Sequence, residues 1–205
     1  MKRLAILGAS GHGKVLADIA EACGWDEIVF FDDEWPAVSS NGHWVVSGDG
    51  ERLLENVKHY AGVIVAIGNN AVRHEKHNWL LTKGAPMASL VHPTAVVSCY
   101  AEIGVGSVVM PGVVVNVAAR IGDGAILNTG CSVDHDCIIG DFTHISPGAR
   151  LAGGVSVGSQ SWIGIGASVK QCINIGQNVV VGAGAVVVSD IPNGSTAMGV
   201  PAIPV

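Results

Sequence analysis

His135 stands between two carboxylates in Val133-Asp134-His135-Asp136. A carboxylate beside an imidazole fixes its tautomer and raises its basicity. Such a group suits removal of a proton from an attacking amine or hydroxyl near neutral pH, as acyl transfer requires. The same residues also read as a surface histidine between two solvated acids, and spacing alone leaves both readings open. A second cluster opens the chain. Gly8-Ala9-Ser10-Gly11-His12-Gly13 follows a short apolar run, Leu4 to Leu7, and precedes a helical pattern with Val15, Leu16, Ile19, Ala20 and Cys23 on one face. A glycine-rich turn at a helix N-terminus offers backbone N–H groups to a diphosphate.

Two familiar phosphate motifs do not fit this turn. The dinucleotide fingerprint is G-x-G-x-x-G, whereas these glycines run G-x-x-G-x-G. Gly8 to Lys14 matches G-x-x-x-x-G-K, but Val15 stands where a P-loop needs Ser or Thr for Mg²⁺. A tight βα turn without ligand also accounts for the glycines.

The elements that must hold these residues follow from two different periodicities. From Val97 to Val187 every sixth residue is a branched aliphatic: Val97, Ile103, Val109, and so on through Val181 and Val187. Four places after each comes a small or apolar residue, such as Ala119, Ala125, Cys131 or Cys137. A period of six matches neither a helix nor simple strand alternation. It matches the hexapeptide β-helix, with one short strand and one turn per hexad and three hexads per coil. The sixteen hexads predict about five coils. The aliphatic residues point inward, and glycines such as Gly104, Gly122 and Gly140 are expected to relax the turns. His135 takes the third place of its hexad, outside both inward positions.

Residues 1 to 92 read as alternating strands and helices, hence a small parallel sheet. Strands are expected at Ile28 to Phe31, at Val63 to Ile67 and at Met87 to Val91, with a helix from Ala71 to about Lys83. The carboxyl ends of such strands hold ligands. There lie the glycine turn, Asp32-Asp33 and Gly68-Asn69-Asn70, and Asp32 or Asp33 could accept hydrogen bonds from a ribose or a base edge. His92-Pro93 is the expected hinge, dividing the chain into 1–92 and 93–205. His43, His59, His74 and His77 read as surface residues.

The 205 residues carry 11 Lys and Arg against 17 Asp and Glu, a net charge of −6. No basic run marks a nucleic acid or anionic membrane as partner. The N-terminal apolar run is too short for a signal peptide, and nothing is long enough to span a membrane. Five cysteines without a CxxC pattern suggest a reduced, cytoplasmic protein. Zinc in the manner of the γ-class carbonic anhydrases would need a His-x₄-His pair and a third histidine in the repeats. There are only His135 and His144, nine apart, so no metal is expected. A non-catalytic binding trimer is a further alternative.

Gly8 to Lys14, Asp32-Asp33, Gly68-Asn69-Asn70, the stretch Asn128 to Gly148 with His135-Asp136 and His144, and the ending Gly199-Val200-Pro201-Ala202 carry a resemblance covering nearly the whole chain. The chain resembles the hexapeptide-repeat sugar acetyltransferases related to the bacillosamine-pathway UDP-4-amino-sugar N-acetyltransferases and the sialic acid O-acetyltransferases. The resemblance implies a left-handed parallel β-helix behind a Rossmann-like nucleotide-sugar-binding domain. It implies acetylation of the 4-amino group of a UDP-linked amino-deoxy sugar in bacterial glycan biosynthesis, with O-acetylation of a sialic acid as the alternative. Acetyl-coenzyme A (acetyl-CoA) is the implied co-substrate, held between subunits of a homotrimer. Ser10, Gly11, His12, Asp32, Asp33, Gly68 and Asn69 would bind the nucleotide sugar. His135 would be the base and Asp136 its partner. His144, Gly153, Ile165 and Gly166 would line the coenzyme. Ile203 stands where the family usually has a basic residue. The outward-facing residues Val105, Val114 and Ile126 are expected at the trimer interface.

Overall fold

The computed structural model describes all 205 residues, which fall into two compact units, Met1–Pro93 and Thr94–Val205. The first unit is built on a three-stranded parallel sheet. Its strands are β1 (Arg3–Leu7), β2 (Glu27–Phe31) and β5 (Gly62–Val65), in the order β2-β1-β5. Each is apolar along nearly its whole length, as a strand covered on both faces must be. The chain passes from β1 through α1 (Gly11–Ala22) to β2. It continues through a hairpin of β3 (Ser40–Asn41) and β4 (Trp44–Val45) and the short helix α2 (Gly50–Glu55). It then returns to the other side of β1 as β5, followed by α3 (Asn70–Thr82). That reversal beside β1 is a topological switch point, where open parallel sheets bind ligands.

The strand expected over Met87 to Val91 is reduced. Met87 makes one parallel bridge to Val63, and only Leu90–Val91 is extended. Ala85 and Pro86 turn the chain there, and the Pro86 carbonyl accepts from the Val63 N–H.

The second unit is a left-handed parallel β-helix. Its two-residue strands pair with strands eighteen residues away, as in Val114↔Ser132, Arg120↔Ile138 and Ile126↔His144. Eighteen residues are three hexads, so each coil has three flat faces. One face stacks six strands, from Val96–Val97 to Val186–Val187, giving about six coils rather than five. The interior is the hexad pattern made solid: Val109, Leu127, Val133, Ile145 and Ile163 are buried, and Ala125, Cys131, Cys137 and Ala149 fill the corners between them. At the last coil the register tightens from eighteen to sixteen, with Ile191 opposite Ile175 and Ala197 opposite Val181.

The glycines serve two purposes, one of them unforeseen. From Gly106 to Gly184 the left-handed backbone falls three residues after each inward aliphatic, for example at Gly130, Asp136, Phe142 and Gly148. The glycine directly after the aliphatic has ordinary φ and is needed for close stacking. A Cβ at Gly140 would come within 2.5 Å of the Ser159 nitrogen in the next coil. Of the residues expected at a subunit interface, Val105 is exposed and Val114 half-buried, but Ile126 is buried within the chain itself and cannot serve.

Candidate active site

His135 lies on an outer corner of the β-helix, at the turn after the strand Ser132–Val133. Its Nδ1 sits 2.7 Å from Asp136 Oδ2. Nδ1–H therefore donates to the carboxylate, and Nε2 carries the lone pair. Asp136 reaches this position from a left-handed backbone, φ 58°, which a non-glycine residue rarely adopts. Asp134 does a different job. Its Oδ1 accepts from the His135 backbone N–H at 2.8 Å and from Asn116 Nδ2, one coil earlier, at 2.8 Å. One acid fixes the backbone of the histidine and the other fixes its ring. The hydrogen bond to Asp136 raises the His135 pKa above its ordinary value, with the charges of Asp134 and Asp136 adding to it. Hydrogen bonds from the His135 N–H and Asn116 hold the Asp134 carboxyl below its own.

The expected coenzyme residues divide into two places. Gly153 lies directly beneath the His135 ring, where a Cβ would collide with Nε2 and Cε1. His144 and Ile165 instead line a cavity of about 400 Å³ on another face, with Ser146, Pro147, Trp162 and Val180. Gly166 adjoins it, its N–H donating to the Pro147 carbonyl. His144 is held from two sides. Asn128 Nδ2 approaches its Nε2 at 3.1 Å, and the Trp162 indole lies 4.6 Å away at an interplanar angle of 32°. Trp162 is itself pinned by Nε1–H donating to Ser146 Oγ at 2.7 Å. Asn128, Trp162 and Asn116 had no assigned role in the sequence reading. The one signal available for Trp162 was an aromatic side chain on an outward position of a repeat otherwise short of aromatics. His144 lines this cavity and His135 does not.

In the first unit the three predicted loops do converge. Leu7 at the end of β1 with Gly8 and Ser10 after it, Asp32 and Asp33 after β2, and Ala66, Ile67 and Gly68 after β5 line one cavity of about 210 Å³, with Lys76 from α3. Gly8 has φ 113°, and its missing Cβ would press on the Ala66 carbonyl. Gly13 has no room for a Cβ against the Gly8 carbonyl, so β1 and α1 meet closely. Gly11 and Gly68, by contrast, face open space. Ser10 is the N-cap of α1 but makes no side-chain cap, which leaves its hydroxyl available.

The two aspartates are not equivalent. Asp32 uses both oxygens internally, accepting from the Ala9 N–H at 2.6 Å and the Glu34 N–H at 3.0 Å. It braces the glycine turn. Asp33 pairs with Lys76 Nζ and faces a wider adjoining cavity of about 500 Å³ lined also by Asp49, Glu75 and Trp79. His12 is mostly buried, with an Nε2 that has no partner. Burial, with the nearby charge of Arg73, lowers its pKa to about 4. His77, expected at the surface, is 2% exposed.

Comparison with known proteins matches these two constructions separately and together. Residues 3–80 match the PglD N-terminal domain family, and residues 118–153 the bacterial transferase hexapeptide (six repeats) family. The acetyltransferase domain of PglB from Neisseria gonorrhoeae FA1090, solved in complex with acetyl coenzyme A, is 44% identical with a TM-score of 0.95. That alignment covers 100% of this chain and 99% of that one. The chain belongs to the hexapeptide-repeat sugar acetyltransferases. PerB from Caulobacter crescentus, solved with CoA and GDP-perosamine, is 40% identical with a TM-score of 0.94, covering 100% and 98%. The UDP-N-acetylbacillosamine N-acetyltransferase of Bacillus subtilis (strain 168) is 38% identical over 110 residues, 52% of this chain and 50% of that protein. The chain thus matches half the length of that curated relative. No group of three or more His, Cys, Asp or Glu side chains is arranged to hold a metal ion.

Proposed function

We propose that this chain transfers an acetyl group from acetyl-CoA to the 4-amino group of a nucleotide-linked amino-deoxy sugar, UDP-linked in the first instance, for bacterial glycan synthesis. His135 is the general base. The observation that carries this is the 2.7 Å contact from His135 Nδ1 to Asp136, which leaves Nε2 basic and without a protein hydrogen bond on a side chain that is 56% exposed. The amine loses a proton to Nε2 as its nitrogen attacks the thioester carbonyl. The tetrahedral intermediate collapses to the amide and releases coenzyme A thiolate. The imidazolium, steadied by Asp136, returns the proton to that sulfur. No acyl-enzyme is invoked: Cys131 and Cys137 are buried inside the coils, and the exposed Cys99 and Cys172 have no hydrogen bond to a histidine that would activate them.

The amine is preferred over a sialic acid hydroxyl because the relatives aligned along their whole length include an N-acetyltransferase of a nucleotide-linked amino sugar. Ser10, Gly11, His12, Asp33, Gly68 and Asn69 hold the nucleotide sugar, and Asp32 supports them. His144, Gly153, Ile165 and Gly166 hold the coenzyme. Because His135 and His144 occupy different faces of one chain, a single coenzyme can meet both only across a subunit boundary. The working form is therefore a homotrimer, placed in the cytoplasm where both co-substrates are made. The test is release of free thiol from acetyl-CoA with UDP- and GDP-linked 4-amino-6-deoxy sugars and with sialic acids, alongside a solution mass. A monomer with full activity, or turnover of sialic acid alone, rules this reading out.

A further inference from the structure

Arg73 is the largest fully buried side chain in the protein, at 1% exposure. It lies in the first turn of α3, on an inward stripe of Asn70, Arg73, His77 and Leu80. Three of those four are polar, which is an odd choice for the buried face of a helix. Burying a guanidinium is costly unless its donors are used. Here Nη1 donates to the Ile67 carbonyl at 3.0 Å and to the Gly68 carbonyl at 3.1 Å, and Nη2 donates to Asn70 Oδ1 at 2.8 Å.

The two carbonyls are informative. In a trans peptide the C=O and the following N–H point in opposite directions. Turning the Ile67 and Gly68 carbonyls toward one nitrogen therefore turns the N–H groups of Gly68 and Asn69 away from it. Neither N–H has an acceptor within the protein. Gly68 lines the 210 Å³ cavity and faces open space, and the Asn69 side chain is engaged in capping α3 through the Val72 N–H. Successive N–H groups on one side of a loop form an anion-binding nest, and a positive charge behind it strengthens the field.

We infer that Arg73 is a positioning residue for the diphosphate of the nucleotide sugar: it never reaches the cavity, but it aims the Gly68 and Asn69 N–H groups at the phosphates and supplies the charge behind them. This rests on the reading of the first unit as the nucleotide-sugar site. Desolvation lowers the Arg73 pKa only to about 10, so the group stays charged at neutral pH. His12, on the opposing glycine turn, already feels that charge. The two turns then grip the diphosphate from either side of the switch point. One does so with the unused N–H groups of a helix start and the other with a nest held open by a buried cation.

The test compares UDP with uridine by calorimetry on the full chain. Arg73→Lys keeps the charge but cannot span both carbonyls and Asn70, and Arg73→Met keeps neither. The Kd for UDP is expected to rise about tenfold in Arg73→Lys and further in Arg73→Met. The Kd values for uridine and for acetyl-CoA should not move. An unchanged UDP affinity in a folded variant, or equal losses for UDP and uridine, overturns the proposal. Should neither variant fold, the wild-type amide resonances decide: those of Gly68 and Asn69 must shift with UDP and stay with uridine. Binding of UDP that leaves both amides unmoved sinks the role of Arg73 alone. Failure of the wild type to bind either UDP or GDP sinks it together with the nucleotide site.

Discussion

The imidazole of His135 rests on Gly153, one coil away, so closely that no side chain larger than hydrogen fits beneath it. The Gly154 N–H also donates to the His135 carbonyl at 2.9 Å, so ring and backbone are both tied to that turn. Gly153 has an ordinary φ, and its requirement is one of space. Gly153→Ala should therefore fold but tilt the base. A displacement near 1 Å at a reacting group can cost about 10²-fold. We expect kcat to fall by roughly that factor, with thermal stability little changed. Equal kcat in the two proteins would mean that the ring position seen here is not the working one.

Removing the base itself should cost more. General-base catalysis typically contributes ~10²–10⁴-fold, and His135→Ala should lower kcat by that range with modest change in either KM. Asp136→Asn should be milder, since the imidazole remains. Steady-state kinetics on both variants would check this order, and the reverse order contradicts the assignment.

The pH profile follows from the same contact. The reaction needs neutral His135, so activity rises with pH through its ionisation. The hydrogen bond to Asp136 raises that ionisation above the ordinary histidine value. The alkaline-going limb should thus lie higher than for a free imidazole, move down in Asp136→Asn, and disappear from the residual rate of His135→Ala.

His12 predicts an acid sensitivity of a different kind. Its pKa is about 4 in the folded chain against 6.5 for an unperturbed histidine. Between those values the unfolded chain binds the proton and the folded chain does not, so stability falls as pH falls. Each pH unit in that window is worth about 1.4 kcal/mol, a loss of ~3 kcal/mol by pH 4. Denaturant melts of wild type and His12→Gln from pH 7 to 4 should diverge by about that amount, the variant losing less. Parallel pH curves would show that His12 protonates freely in the native state.

Trp162→Ala should expose His144 and remove one wall of the 400 Å³ cavity. Aromatic pairs contribute about 0.5–1.5 kcal/mol beyond their burial. The KM for acetyl-CoA should rise several-fold, with the KM for the sugar unaffected. A change confined to the sugar would move this cavity to the wrong substrate.

The β-helix was legible because its code is one-dimensional: residues six apart take the same place on successive faces, and residues eighteen apart stack. The glycine turn, Asp32-Asp33 and Gly68-Asn69 were legible because a parallel sheet brings strand ends together. What escaped notice were residues whose partners lie a coil or a helix away. Asn116 acts on Asp134 from eighteen residues back, and Asn128 reaches His144 across sixteen. His77 looked like part of a solvated face and Arg73 drew no reading at all, because polarity alone does not say which side of α3 meets the sheet. Asp32 and Asp33 looked interchangeable until their hydrogen bonds separated a brace from an exposed acid.

The eighteen-residue register also bears on how this enzyme can change over generations. Losing one residue between Val97 and Val187 would rotate every later aliphatic out of the interior, so length is frozen along the repeat while identity is not. Outward places such as 138, 162 and 180 can be exchanged without disturbing the stack, which lets new acceptors or acyl donors be explored by substitution alone. Gains of length are confined to bulges at the corners or to whole coils added at once.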